Sequence, residues 1–165
     1  MRNGTRVALL AAVACATLLT GCTRPGSADS AAIADQVRKD ATELVADYNA
    51  QNAAAAAAWD APDYVGVFHG TPNVNGPAAD EAGMKAAMAA TKVLWQIGEA
   101  KVTVSKAGDL GIFEAPYTFT MTTPQGASSK ESGTWIAIFK RQDDGKMKLW
   151  RSIGSDAPPA KGATS

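Results

Sequence analysis

From Ile33 onward the apolar positions recur at three- and four-residue steps. Ile33, Val37, Ala41, Leu44, Val45 and Tyr48 share one stripe, while Asp35, Lys39, Asp40 and Asp47 fall largely on other faces. That period predicts an amphipathic helix. Asn49 to Asn52 interrupts it, and Asn52 is placed to cap a second, short helix through Ala53 to Ala58, ending near Trp59. Pro62 blocks its continuation. A strand is expected near Tyr64 to His69. A third helix is expected after Gly76-Pro77, with the proline in its first turn and Met84, Ala87 and Met88 along it.

Near Leu94 the period shortens to two. Ala100, Val102 and Val104 alternate with Lys101, Thr103 and Ser105. After a turn at "KAGD", Phe113, Ala115, Tyr117, Phe119 and Met121 share one face, with Glu114, Thr118, Thr120 and Thr122 on the other. Pro116 within that run suggests an edge or a bulge. Trp135, Ala137 and Phe139 alternate with Ile136 and Ile138, which reads as a strand buried on both faces. Asp144-Gly145 is a hairpin signal into Met147 to Ile153. Three helices followed by about five antiparallel strands indicate an α+β fold with helices on one face of the sheet.

Composition changes the picture at the ends of the chain. Arg2 and Arg6 precede a 14-residue uncharged stretch, Val7 to Thr20, which is short for a membrane span and suits a secretory leader. Leu19-Thr20-Gly21-Cys22 resembles the bacterial lipobox, in which the cysteine is lipidated and becomes the new N-terminus. The expected organisation is therefore a leader at 1–21, a lipidated Cys22 with a tether to residue 32, one domain at 33–156 and a disordered tail at 157–165. The implied address is the bacterial cell envelope, with the chain anchored to the membrane and facing the periplasm.

Loss of Arg2 and Arg6 with the leader would leave 14 basic against 16 acidic side chains, which gives no electrostatic case for nucleic acid. Cys15 would leave with the leader and Cys22 would carry lipid, so no disulfide or cysteine metal site is expected. With a single histidine an ordinary zinc site is not expected either. No cofactor is called for.

The order of these elements, with "NAQNAAAAAAWDAPDYVGVFHGTPNVNG" after the first helix and "GTWIAIFKRQDDGKMKLWRSIGSDAP" at the end, resembles the nuclear transport factor 2-like superfamily. More narrowly it is similar to its SnoaL-like and ketosteroid isomerase-like members, over about Ile33 to Pro158. The resemblance implies a cone: a curved antiparallel sheet wrapped around the first helix, often with a pocket in its mouth. It also implies a homodimer paired sheet to sheet. Enzymes, binding modules and assembly domains share this fold, so it does not fix a function.

In the isomerase-like members an aspartate base works with a tyrosine and a protonated aspartate. Registered on Asn52, Leu44 stands where the first-helix tyrosine belongs, and the base position falls on Phe68, with His69 beside it. The strand Trp135 to Phe139, where the second aspartate belongs, holds no acid. That triad is missing.

Two carboxylate or imidazole groups remain as catalytic candidates. His69 is the only histidine, and imidazole serves as a general base near neutrality; its bland alternative is a polar residue at a strand end. Glu114 would be a buried acid if its face lined the cone, and otherwise lies on a solvated face. Tyr48, Trp59, Tyr64, Phe68, Tyr117 and Trp135 are the candidate walls of an apolar pocket. Two functions fit: an anchored domain that binds a small apolar ligand or serves as an accessory or dimerisation module, or a cofactor-free acid/base enzyme acting on a small carbonyl or cyclic substrate.

Overall fold

The computed structural model describes residues 27–157. Its elements are helices α1 (Ser27–Asn49), α2 (Ala53–Ala57) and α3 (Pro77–Ala90), with strands β1 (Asp60–Val67), β2 (Val74–Asn75), β3 (Lys92–Ile97), β4 (Lys101–Val104), β5 (Leu110–Thr122), β6 (Ser128–Arg141) and β7 (Met147–Asp156). The three expected helices are present, and α1 begins at Ser27, inside the stretch read as a tether. Cys22 and the leader lie outside the described residues. Asn52 caps α2 as its position suggests, its Oδ1 accepting from the Ala55 amide at 3.1 Å, and Pro77 opens α3.

The strands form one seven-stranded sheet in the order β2-β1-β7-β6-β5-β3, with β4 beside β5. All pairs are antiparallel except β1 with β7, which is parallel. Two strands were not foreseen: the two-residue β2, and β3, which pairs with β5 from Lys92↔Thr122 to Ile97↔Tyr117. Pro116 sits within a paired strand rather than at an edge or bulge, because its neighbour changes there. β3 covers residues 117–122 of β5 and β4 covers 111–114, leaving Pro116 at the seam. Its carbonyl accepts from the Gly98 amide at 2.8 Å, so only the missing N–H of proline goes unused.

The concave face of this sheet wraps α1. Val37, Ala41, Leu44 and Val45 are buried against Phe113, Ala115, Ala137, Phe139, Met147 and Leu149. Each such Val, Leu or Phe contributes about 1.5–3 kcal/mol through burial. Ile136 and Ile138 face outward and are only half-buried, so β6 is covered fully on one face alone.

The C-terminal end of α1 is fixed to β3 by one side chain. Asn49 accepts from the Trp95 amide at 2.7 Å and donates to the Trp95 carbonyl at 2.8 Å. An edge strand has one row of unpaired backbone groups, and Asn49 acts as its substitute neighbour at the one residue whose ring enters the core. Asn49→Ala should therefore cost about 1–3 kcal/mol, two hydrogen bonds and two half-buried backbone groups left dry. Urea unfolding is the check, and an unchanged midpoint would mean that the contact adds nothing to stability.

Candidate functional site

α1 fills only one end of the cone. The other end holds a cavity of about 500 Å³. Its walls come from every layer: Leu44 and Tyr48 of α1, Asp80, Gly83, Met84 and Ala87 of α3, Trp95 of β3, and Tyr117 and Phe119 of β5. The aromatic rings pack on one another. Trp95 meets Tyr48 edge-on at 5.5 Å and Trp135 at 4.6 Å between centroids, and lies 5.1 Å from Phe119. The Trp135 Nε1–H is satisfied by Ser152 Oγ at 2.9 Å, whereas the buried Trp95 Nε1 has no partner among the described residues.

At the base of the cavity stands a pair of carboxyl groups. Asp60 starts β1, just before an irregularity in the β1–β7 register between Asp60 and Val65. Bulges re-aim side chains, and here Asp60, Ala61 and Tyr64 are all buried. Gly66 leaves room for the result: a Cβ there would come 2.7 Å from the Tyr64 hydroxyl oxygen and 2.8 Å from the Phe68 ring. Asp80 reaches in from the first turn of α3, and the Tyr64 hydroxyl lies 3.5 Å from its Oδ1.

Asp60 is only 6 % exposed, and neither of its oxygens has a hydrogen-bond partner of ordinary geometry among the described residues. Desolvation first, and the neighbouring Asp80 carboxylate second, push Asp60 up to about 8. Desolvation also raises Asp80, to about 6, against the favourable effect of Asp60 and Tyr64 beside it. Two like charges this close in a poorly hydrated place do not both ionise, so the pair holds one proton near neutrality and titrates as a unit.

A second pair lies at the mouth. The Tyr117 hydroxyl is 2.6 Å from Asp156 Oδ1 and 3.0 Å from Glu131 Oε1. Its single proton belongs to the nearer acid: Asp156 is lowered, chiefly by that hydrogen bond, while Glu131 is raised by desolvation. His69 Nδ1 is 3.3 Å from Asp156 Oδ2.

The structure thus brings His69, Tyr48, Tyr64, Phe68, Tyr117 and Trp135 to one cavity. His69 is at its rim, with its side chain 81 % exposed. Two of the candidates lie elsewhere. Glu114 points outward because β5 alternates Phe113, Ala115 and Tyr117 inward; it is exposed, opposite Lys101 and Ile136. Trp59 faces a groove between α1 and the β6–β7 hairpin, where its Nε1 donates to Asp47 Oδ2 at 2.9 Å. Asp60 and Asp80 were not singled out from the sequence. Among the described residues no cluster of three or more His, Cys, Asp or Glu side chains is arranged to hold a metal ion.

The carboxyl pair has a consequence for stability. Folded Asp60 binds its proton more tightly than an ordinary aspartate of 3.8 does. Its contribution is full below about pH 4 and is lost as pH rises through about 8. The melting temperature should fall between about pH 5 and pH 8.5, and Asp60→Asn, which mimics the neutral acid, should flatten much of that fall. The rest of the slope belongs to Asp80, Asp40 and Glu131, whose carboxyls are also raised by desolvation. Thermal melts across that range test this; an identical slope in the variant would contradict it.

No family model matches the sequence, and no curated protein matches it significantly. Solved structures do resemble its fold. A ketosteroid isomerase-like protein from Erwinia carotovora atroseptica shares 16% identity over 76% of this chain and 97% of its own, with a TM-score of 0.65. A nuclear transport factor 2-like protein with a cystatin-like fold from Novosphingobium aromaticivorans shares 18% over 78% and 84%, with a TM-score of 0.63. A function-unknown protein from Mycobacterium tuberculosis shares 17% over 82% and 79%, with a TM-score of 0.70. Identities this low speak of architecture alone, and the architecture is α+β with a curved, mostly antiparallel sheet: the nuclear transport factor 2-like fold.

Proposed function

We propose that this chain is a small-molecule-binding domain. Its ligand places an apolar body against the aromatic walls and a polar end at Asp60 and Asp80. The observation that carries this reading is the 500 Å³ cavity with a buried carboxyl pair at its base. Cavities of this size with a few convergent polar groups are the usual form of a ligand site. The packing of α3 agrees, since none of its residues is buried and its inner face meets the cavity rather than a filled core. Apolar ligand surface buried there is worth about 25 cal/mol per Å².

The same pair supports a second reading, a cofactor-free acid/base enzyme acting on a small carbonyl or cyclic compound. A carboxyl group raised toward neutrality suits proton transfer, and Asp80, half-buried beside the cavity, is then the group to transfer the proton. His69 suits the role less well, since its exposed ring is not sequestered from water.

We also propose that the chain is held at the cell envelope by lipid on Cys22 and pairs as a homodimer through the outer face of the sheet. On that face Leu94 is 48 % and Ile112 37 % exposed, and Ile112 stands opposite Ile138 while Ile136 stands opposite Ile153. Exposed apolar side chains of this kind are better covered than wet, and a two-fold pair covers both copies at once.

Gly83 gives a direct test of the cavity. It lies on the cavity face of α3, and a Cβ there meets nothing within 4 Å. Gly83→Leu should fill the site and, by replacing glycine inside a helix, should also stabilise the fold by about 0.5–1 kcal/mol. A neutral apolar probe, Nile red, should bind the wild type and raise its melting temperature, and should do neither with Gly83→Leu. Equal binding by both would place the probe elsewhere and remove the ligand reading.

The anchor and the dimer are tested with one variant. Cys22→Ser should move the protein from the membrane to the soluble fraction of the envelope, or stall its maturation, because stable attachment takes two or more acyl chains. A variant that is still processed and still membrane-bound contradicts the anchor. Light scattering on the released protein should give twice the chain mass, and a monomer at high micromolar concentration contradicts the dimer.

A further inference from the structure

Resting on the ligand-site reading above, we propose that the cavity takes an organic cation, a protonated amine on an apolar, preferably aromatic body, with the ammonium against Asp80. The charge around the cavity is one-sided. Asp60 and Asp80 stand at its base and Glu131 and Asp156 at its mouth; among the described residues His69 is the only basic side chain on its walls, and no Lys or Arg lines it. The lysine that acts on Asp60 is Lys148, which lines the groove outside, between α1 and the hairpin, and donates to the Ala58 carbonyl.

A cluster of acids alone says little, but Asp60 adds a separate observation. A carboxyl group 6 % exposed, lining a cavity and with neither oxygen in a hydrogen bond of ordinary geometry among the described residues, is costly to keep unless something compensates it. A buried carboxylate is compensated by a proton, by hydrogen-bond donors, or by a positive charge from a side chain, a metal ion or an organic cation. The described residues offer no three-ligand cluster for a metal. A proton does serve, and an ammonium would take its place, giving the pair a counter-charge within reach of Asp80 with Asp60 behind it. A neutral alcohol gains no comparable charge attraction at Asp80. An anion would meet four acids.

The walls fit the rest of such a molecule. Tyr48, Trp95, Phe119 and Trp135 pack with centroids 4.6 to 6.2 Å apart, and aromatic faces attract a cation as well as an apolar body. A charge-assisted hydrogen bond in place of a neutral one favours the amine by roughly tenfold or more.

The test uses the full chain and three molecules of nearly one shape: tryptamine, tryptophol and indole-3-acetate. Isothermal titration at pH 7 should show tryptamine binding at least about tenfold more tightly than tryptophol, with indole-3-acetate weakest. Because the ammonium replaces the proton held by the pair, tryptamine heats should change with the ionisation enthalpy of the buffer, and tryptophol heats should not. Asp80→Asn should remove the preference for the amine, weakening tryptamine at least about tenfold more than tryptophol. A thermal melt confirms that this variant is folded, and Glu131→Gln, at the mouth, should weaken the amine less.

If tryptophol binds as well as tryptamine, or the preference survives in Asp80→Asn, the cation assignment is overturned. Should binding of Nile red still be lost in Gly83→Leu, that failure leaves the ligand cavity standing. Should none of the three indoles bind, the cation assignment falls with them, and the Nile red result decides whether the cavity reading falls too.

Discussion

The structure depends on how far one helix reaches along one concave sheet. The apolar stripe of α1 covers Phe113, Ala137, Phe139 and Leu149 and ends at Tyr48. The sheet runs on past it, through Trp95, Tyr117, Phe119 and Trp135, and α3 lies over that length without filling the space beneath it. A flat sheet would leave these rings in water. This one is curved, with register irregularities in the β1–β7 and β6–β7 ladders, so the surplus closes into a cavity rather than a face. The hydrogen bonds of Asn49 to Trp95 fix the point where core ends and cavity begins.

Asp60 makes sense only within that division. In the filled half of the cone a carboxylate would have no compensation and would be selected against on stability alone. At the boundary it is still desolvated, which is why its proton is held so far above the usual carboxylate range, yet it stands behind Asp80, which has access to the open half. A leucine or asparagine at residue 60 would fold at least as well. The acid is therefore a cost to stability at neutral pH, and such costs are found where a group is used.

Much of the fold was legible because periodicity reports it. The stripe from Ile33 to Tyr48, the Asn52 cap, Pro77 and the long alternation of β5 each have a local physical cause. β3 was hidden because Val93, Leu94 and Trp95 are consecutive apolar residues directly after an alanine-rich helix, and Leu94 faces outward where alternation calls for a polar residue. β2 has two residues and no pattern at all. The aromatic half of the site was legible for the same reason as the core, since inward-facing rings follow strand alternation. The acids were not. Asp80 reads as an ordinary acidic residue in the first turn of a helix, where the dipole favours it. Asp60 reads as a polar residue before Pro62. Its one clue, a position between Trp59 and Ala61 at a strand entry, has meaning only once the bulge turns it inward. Glu114 lies on the solvated face, the bland alternative weighed for it, since the aromatic stripe of β5 itself lines the cone. His69 reached the cavity but stayed at its rim.

The two carboxyl pairs show how environment separates residues of one type. At the mouth, the Tyr117 hydroxyl donates a hydrogen bond to Asp156 and lowers it, so that pair keeps at least one full charge in contact with solvent. At the base, burial dominates and the pair retains a proton. A cationic molecule entering the cone therefore meets a standing charge first and a proton to displace last. The mouth can attract it at long range, where water and salt weaken discrimination. Only the base, where water is excluded, distinguishes an ammonium from a neutral group strongly. Selectivity in this cavity consequently resides in Asp60 and Asp80 rather than in the more exposed and more conspicuous histidine at its entrance.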